Sequence, residues 1–127
     1  MRLSQIGKPI ILEMEFLDPY TDEKTGVFVK FHSLKSRHGK ESLHSIQLKI
    51  IEAKEKNEEI DNKVLNKQLL LDLFDSFRGL EDENGKVIKS SIKAFEDAID
   101  ESQEFFNACL VFVSNSGNSL KKSEKDL

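Results

Sequence analysis

The chain has 127 residues, 38% of them hydrophobic and 33% charged, with a formal net charge of −4. This length suits one domain whose core needs no metal or disulfide. The acidic balance argues against a general nucleic-acid binder, which carries a basic excess.

Cys109 is the single cysteine, so no internal disulfide can form. Its neighbours Phe105, Phe106, Leu110 and Val113 mark it as a small buried apolar residue. A catalytic thiol would need a base and an electropositive setting, and the sequence shows neither. Met1-Arg2-Leu3-Ser4-Gln5 opens no signal-peptide pattern, and no apolar run approaches the ~20 residues of a membrane span. A cytoplasmic protein is expected.

Ile10, Leu12, Met14 and Phe16 alternate with Ile11, Glu13, Glu15 and Leu17, the period of a half-buried strand. Asp18-Pro19-Tyr20-Thr21-Asp22-Glu23-Lys24-Thr25-Gly26 is turn chemistry. Val27, Val29 and Phe31 then alternate with Phe28, Lys30 and His32, which predicts an antiparallel hairpin with a long loop. A lone hairpin is marginal in water, so it must lean on helices or find further strands.

Leu34 to Lys40 reads as a basic connection. Ser42 or a neighbour caps a first helix bearing Leu43, Ile46, Ile50 and Ala53, with Asn57 as its stopping point. A second helix is expected from Ile60 to Phe77, its stripe Leu65, Leu69 and Leu73 flanked by Leu70, Phe74 and Phe77. Gly79 suits its C-terminus. Asn84-Gly85 marks a turn, and Lys86 to Lys89 a short extended piece. Ser90 or Ser91 caps a third helix with Ile92, Phe95 and Ile99 on one side. Ser102 caps a fourth, striped by Phe105, Phe106, Cys109, Leu110 and Val113 and ended by Asn115-Ser116-Gly117-Asn118. The expected fold is α+β: an N-terminal antiparallel hairpin on about four helices, a single domain over residues 1–116, and a polar, disordered tail over 117–127.

Catalytic or metal chemistry finds little footing. His32, His38 and His44 are spaced six apart, not four as paired helical ligands are, and lack a cysteine pair. Asp72, Asp75, Glu81, Asp82 and Glu83 form an acidic cluster without the alternation of a calcium loop. No Gly-rich phosphate loop or Ser-His-Asp order is present. No catalytic residue, cofactor or metal is therefore expected. Lys35, Arg37, His38, Lys40 and Lys49 are the most basic patch, but aromatic interleaving for base stacking is absent there.

Three places in the sequence carry distinct short motifs. Thr25-Gly26-Val27-Phe28-Val29 steps into the second strand, with His32-Ser33 and Ser36 loosely forming a polar exit. Phe77-Arg78-Gly79-Leu80 leads through acidic residues to Asn84-Gly85-Lys86. Asn118-Ser119-Leu120 precedes a charged tail. In order and length the chain resembles the tail assembly chaperones of long-tailed bacteriophages, in particular the lambda-like branch. Phe77 stands where that family has tryptophan, and the closing aromatic is missing.

The resemblance implies a non-enzymatic role in the cytoplasm of the infected host. Such chaperones bind the tape-measure protein and keep it soluble until tail tube subunits arrive. An exposed apolar stripe on a long helical partner would otherwise drive aggregation, and many copies per partner let weak contacts suffice. The expected contacts are Phe16, Phe28, Leu65, Leu69, Leu73 and Phe77, each with core packing as the competing reading. The tape-measure protein is the expected partner, with the tail tube protein a second and homo-oligomers a further expectation. No membrane is implied. Two other classes stay open: a structural tail component retained in the virion, and a small nucleic-acid-associated regulator using the basic patch.

Overall fold

The alternating N-terminal segments form strands β1 (Ile11–Leu17) and β2 (Lys24–His32), paired antiparallel. A computed structural model describes residues 10–126, and the side-chain surroundings of residues 10–115. The expectations for Met1 to Gln5 and for the side chains of the tail fall outside these residues. Asp18 organises the loop: its Oδ1 accepts from the N–H groups of Tyr20 (2.8 Å) and Thr21 (3.1 Å).

The hairpin gains a third strand. The apolar stripe of helix α2 (Asn62–Leu73) ends at Leu73, and Phe74–Arg78 is strand β3, antiparallel to β2 in the order β1-β2-β3. This corrects the expected helix from Ile60 to Phe77. Leu70, Phe74 and Phe77 continue a helical spacing, yet Val29 lies opposite Phe77 and Phe31 opposite Phe74. An unfilled edge of β2 satisfies the backbone of this segment, and tertiary pairing overrides local periodicity.

Helix α1 (Arg37–Glu55) begins earlier than Ser42. Ser36 is its N-cap, with Oγ accepting from the Gly39 N–H at 3.0 Å. Gly39, which reads as loop composition, lies in the first turn because the helix passes over Ser33 and Leu34. A Cβ there would sit 2.2 Å from the Ser33 carbonyl oxygen. Asn57 is the stopping point expected, with φ 54° just after the helix.

Helix α3 (Ile92–Glu101) is capped by Ser91, whose Oγ accepts from the Ala94 N–H, and Ser102 Oγ accepts from the Phe105 N–H at the start of α4 (Gln103–Asp126). The backbone of α4 stays helical through Asn115-Ser116-Gly117-Asn118, where the turn residues predict an end. Weak helix formers each cost about 1 kcal/mol or less and do not force a stop as proline does. Among the described residues the architecture is thus a three-stranded antiparallel sheet with four helices, an α+β fold as expected.

One face of the sheet (Met14, Val27, Val29, Phe31 and Phe77) is buried with Leu70, Leu73, Phe95, Phe105 and Cys109. Phe95 is the ring at the centre. It stacks on Phe74 with centroids 4.4 Å apart and meets Phe31 (5.7 Å) and Phe105 (6.2 Å) edge-on. Burial pushes the Cys109 thiol up to about 12, consistent with the buried apolar role read from its neighbours.

Candidate functional site: a groove beside the free sheet edge

The six residues expected to contact a partner do not share a surface. Leu69, Leu73 and Phe77 are buried in the core. Leu65 and Phe16 are half-buried against it, the Phe16 ring meeting Phe105 edge-on at 5.1 Å. Phe28 lies on the opposite sheet face, half-buried beneath the Arg78 guanidinium at 3.8 Å. That guanidinium also reaches Glu13 at 3.4 Å, so a small cation–π and ion-pair cluster spans all three strands. For most of these residues the core reading prevails.

The chemistry-bearing clusters are also dispersed. Asp72 Oδ2 accepts from Ser42 Oγ at 2.9 Å, Asp75 Oδ2 accepts from Ser76 Oγ, and Asp82 Oδ1 holds the Asn84-Gly85 turn through the N–H groups of Asn84 and Lys86. Among the described residues no group of three or more His, Cys, Asp or Glu side chains is placed to hold a metal ion. The basic patch is partly engaged: Arg37 pairs with Glu41 at 3.2 Å, and Lys49 donates to Gln68.

His32 and His38 are drawn together by the early start of α1. Their rings stack with centroids 4.2 Å apart. His38 Nε2 meets the Asp72 carbonyl, and His32 Nε2 lies 4.0 Å from Asp75 Oδ1. His32 Nδ1 is buried without a hydrogen-bond partner among the described residues. Burial holds the His32 pKa below its ordinary value, His38 lowers it further, and Asp75 works against both.

One surface left open among the described residues lies between β1 and α4. Met14 and Leu17 from the strand face Ala108, Val111 and Phe112 from the helix across a groove that is mostly apolar, with Glu15, Asn107 and Asn115 on its rim. Leu17 is 43% exposed and Val111 59% exposed, large apolar side chains that the core leaves uncovered. A register shift between Phe16 and Leu17 explains Leu17: the irregularity ends strict alternation and re-aims the side chain. Sequence reading passed over this groove. The available signal was two apolar residues outside their stripes, Leu17 among the polar positions of β1 and Val111 off the Phe105–Val113 face.

The groove adjoins an unpaired strand edge. Among the described residues β1 pairs with β2 alone. The Ile10 carbonyl accepts from the Ser33 N–H at 2.7 Å, and the Phe16 carbonyl accepts from Thr25 Oγ1, so even-numbered residues of β1 direct their backbone toward β2. The antiparallel ladder alternates. The N–H and C=O groups of Ile11, Glu13 and Glu15 therefore face outward.

Comparison with protein-family models, curated proteins and solved structures finds no match to this chain. Among the described residues no helix is long and apolar enough to cross a membrane.

Proposed function

We propose that this chain is a non-enzymatic binding protein of phage tail assembly, a chaperone that covers apolar surface of the tape-measure protein in the host cytoplasm until the tail tube polymerises. The observation that carries the reading is the groove between β1 and α4, an uncovered apolar surface beside an open strand edge. Leu17 and Val111 are exposed side by side on one groove, and contiguous apolar surface of this kind marks interaction sites where singly scattered residues do not. The two inner motifs of the resemblance also meet in space. A Cβ on Gly79 would lie 2.0 Å from the Gly26 carbonyl, so the Thr25-Gly26-Val27 and Phe77-Arg78-Gly79-Leu80 segments build one junction. That convergence supports a shared architecture, while the partner's identity rests on the resemblance.

A structural tail component retained in the virion is the second reading, favoured by the open β1 edge, since virion parts can assemble by strand addition. The tail tube protein would be its natural partner, and a ring of this chain its natural assembly.

The test is co-expression with the tape-measure protein encoded in the same genome, reading solubility and co-elution. The chaperone reading expects the long partner to be soluble only with this chain and to co-elute with it. Val111→Asp should abolish co-elution while leaving the circular-dichroism spectrum unchanged, because Val111 is 59% exposed. A tape-measure protein that ignores the wild-type chain overturns the proposal.

A further inference from the structure

The geometry points to β1 as an acceptor for an added strand, and to an extended partner segment in which apolar and basic residues alternate as its occupant. The inference rests on reading the β1–α4 groove as a partner site, but not on the partner's identity.

Each half of that pattern comes from a different side of the edge. A strand laid antiparallel against β1 would bond to the outward N–H and C=O groups of Ile11, Glu13 and Glu15. Its residues directly opposite Glu13 and Glu15 share their sheet face, where two carboxylates stand two residues apart. Glu13 is shared with Arg78 at 3.4 Å, whereas Glu15 has no ion pair among the described residues. Lysine or arginine fits opposite them. Intervening residues of the added strand point to the other face, toward the groove floor of Met14, Ala108, Val111 and Phe112. Apolar side chains fit there.

A second copy of this chain is a poor occupant. In the registers that overlap five or more residues of β1, pairing with its own copy about a twofold axis sets Glu13 opposite Glu15, or either residue opposite itself. Like charges directly opposite are destabilising, and acidic residues on an edge are a common guard against self-pairing. A helix could cover the apolar groove floor, but it satisfies its own backbone and would leave the outward groups of β1 unused, so it does not fit the strand edge.

The test uses the full chain and two short fluorescein-labelled peptides, one alternating valine with lysine and one alternating valine with glutamate. Anisotropy should show saturable binding of the lysine peptide and binding weaker by about tenfold or more for the glutamate peptide. Hydrogen exchange read by NMR should show the Ile11, Glu13 and Glu15 amides gaining protection only with the lysine peptide. Glu15→Pro should remove binding and keep the fold, because it deletes an outward N–H that β2 does not use. Glu15→Lys should reverse the peptide preference. Equal binding of both peptides, binding without protection of those amides, or protection in the chain alone through self-association would each overturn the inference. Loss of peptide binding with tape-measure co-elution intact would overturn strand addition and leave the chaperone reading standing. Peptide binding without tape-measure co-elution would do the reverse.

Discussion

Gly79 sits where a methyl group has no space. Its φ is +89°, in the region that only glycine enters freely, and a Cβ would lie 2.0 Å from the Gly26 oxygen and 3.2 Å from the Val27 Cα. Both obstacles are backbone, so neither can swing aside. Gly79→Ala should destabilise the fold by roughly 2–4 kcal/mol, measured as a lower urea midpoint with little change in slope. Gly85→Ala is the useful control: it shares a positive φ of +77° but its Cβ would meet nothing within 4 Å, so it should cost less. The residue pattern places Gly79 at the C-terminus of the second helix, whereas the structure places it just after β3; a positive φ is what the two settings share. The pattern did not reveal that Gly26, far away in sequence, is the neighbour that fixes the choice. Turn chemistry is local; close backbone approach is not.

Among the elements, Phe74–Arg78 teaches the most about what a sequence withholds. Its apolar spacing extends the Leu65, Leu69, Leu73 stripe without a break, and neither glycine nor proline interrupts it. Only the open edge of β2 decides that the chain leaves the helix at Phe74, whose ψ of 131° is extended. The hairpin, the α3 and α4 caps and the Asn57 stop were readable because each depends on neighbours within a few positions. The start of α1 was not, since Gly39 is demanded by the passage of the helix over Ser33.

That same passage stacks His38 on His32 at the junction of β2, α1 and the α2–β3 corner. Asp75 faces His32 from β3, Asp72 contacts His38 through its carbonyl, and β1 presents only Ile11 opposite in register. Because folding holds the His32 pKa below its ordinary value of 6.5, the unfolded chain binds the proton more readily. Stability is therefore fully present well above pH 6.5 and falls as pH drops through that value toward the folded pKa. The melting temperature should decline between about pH 7.5 and 5.5, a window taken from that ordinary imidazole value. The decline should be shallower in His32→Gln, which holds no titrating ring. Parallel curves for the two proteins would show that His32 contributes nothing to the dependence.

Across the whole molecule, Phe95 joins parts that the chain brings together from distant stretches. Its ring touches Phe31 of β2, Phe74 of β3 and Phe105 of α4. Phe95→Ala should cost roughly 3–5 kcal/mol and lower near-UV signals from the sheet and the helices in a single transition. Two separated transitions would mean that the sheet and the helical layer unfold independently. At this scale the sequence was legible in class and obscure in surface. Alternation and helical stripes imply an α+β core, and the same residues then look like candidate contacts. Periodicity identifies the apolar face of an element, but it cannot say whether that face meets another element or a partner. Leu69, Leu73 and Phe77 met other elements; Leu17 and Val111, which belong to no stripe, did not.

The pairing of β2 with β3 joins segments about forty residues apart in the chain. During synthesis β1 and β2 leave the ribosome well before β3 exists. For that interval the hairpin has two bare edges, and among the described residues only the β2 edge is later closed by the chain itself. The interval ends when α2 delivers Phe74–Arg78 to β2. A helix forms in about a microsecond whereas synthesis adds only about 5–20 residues per second, so the rate of synthesis through the middle of the chain sets how long a nascent copy can be captured by its neighbours on a polysome.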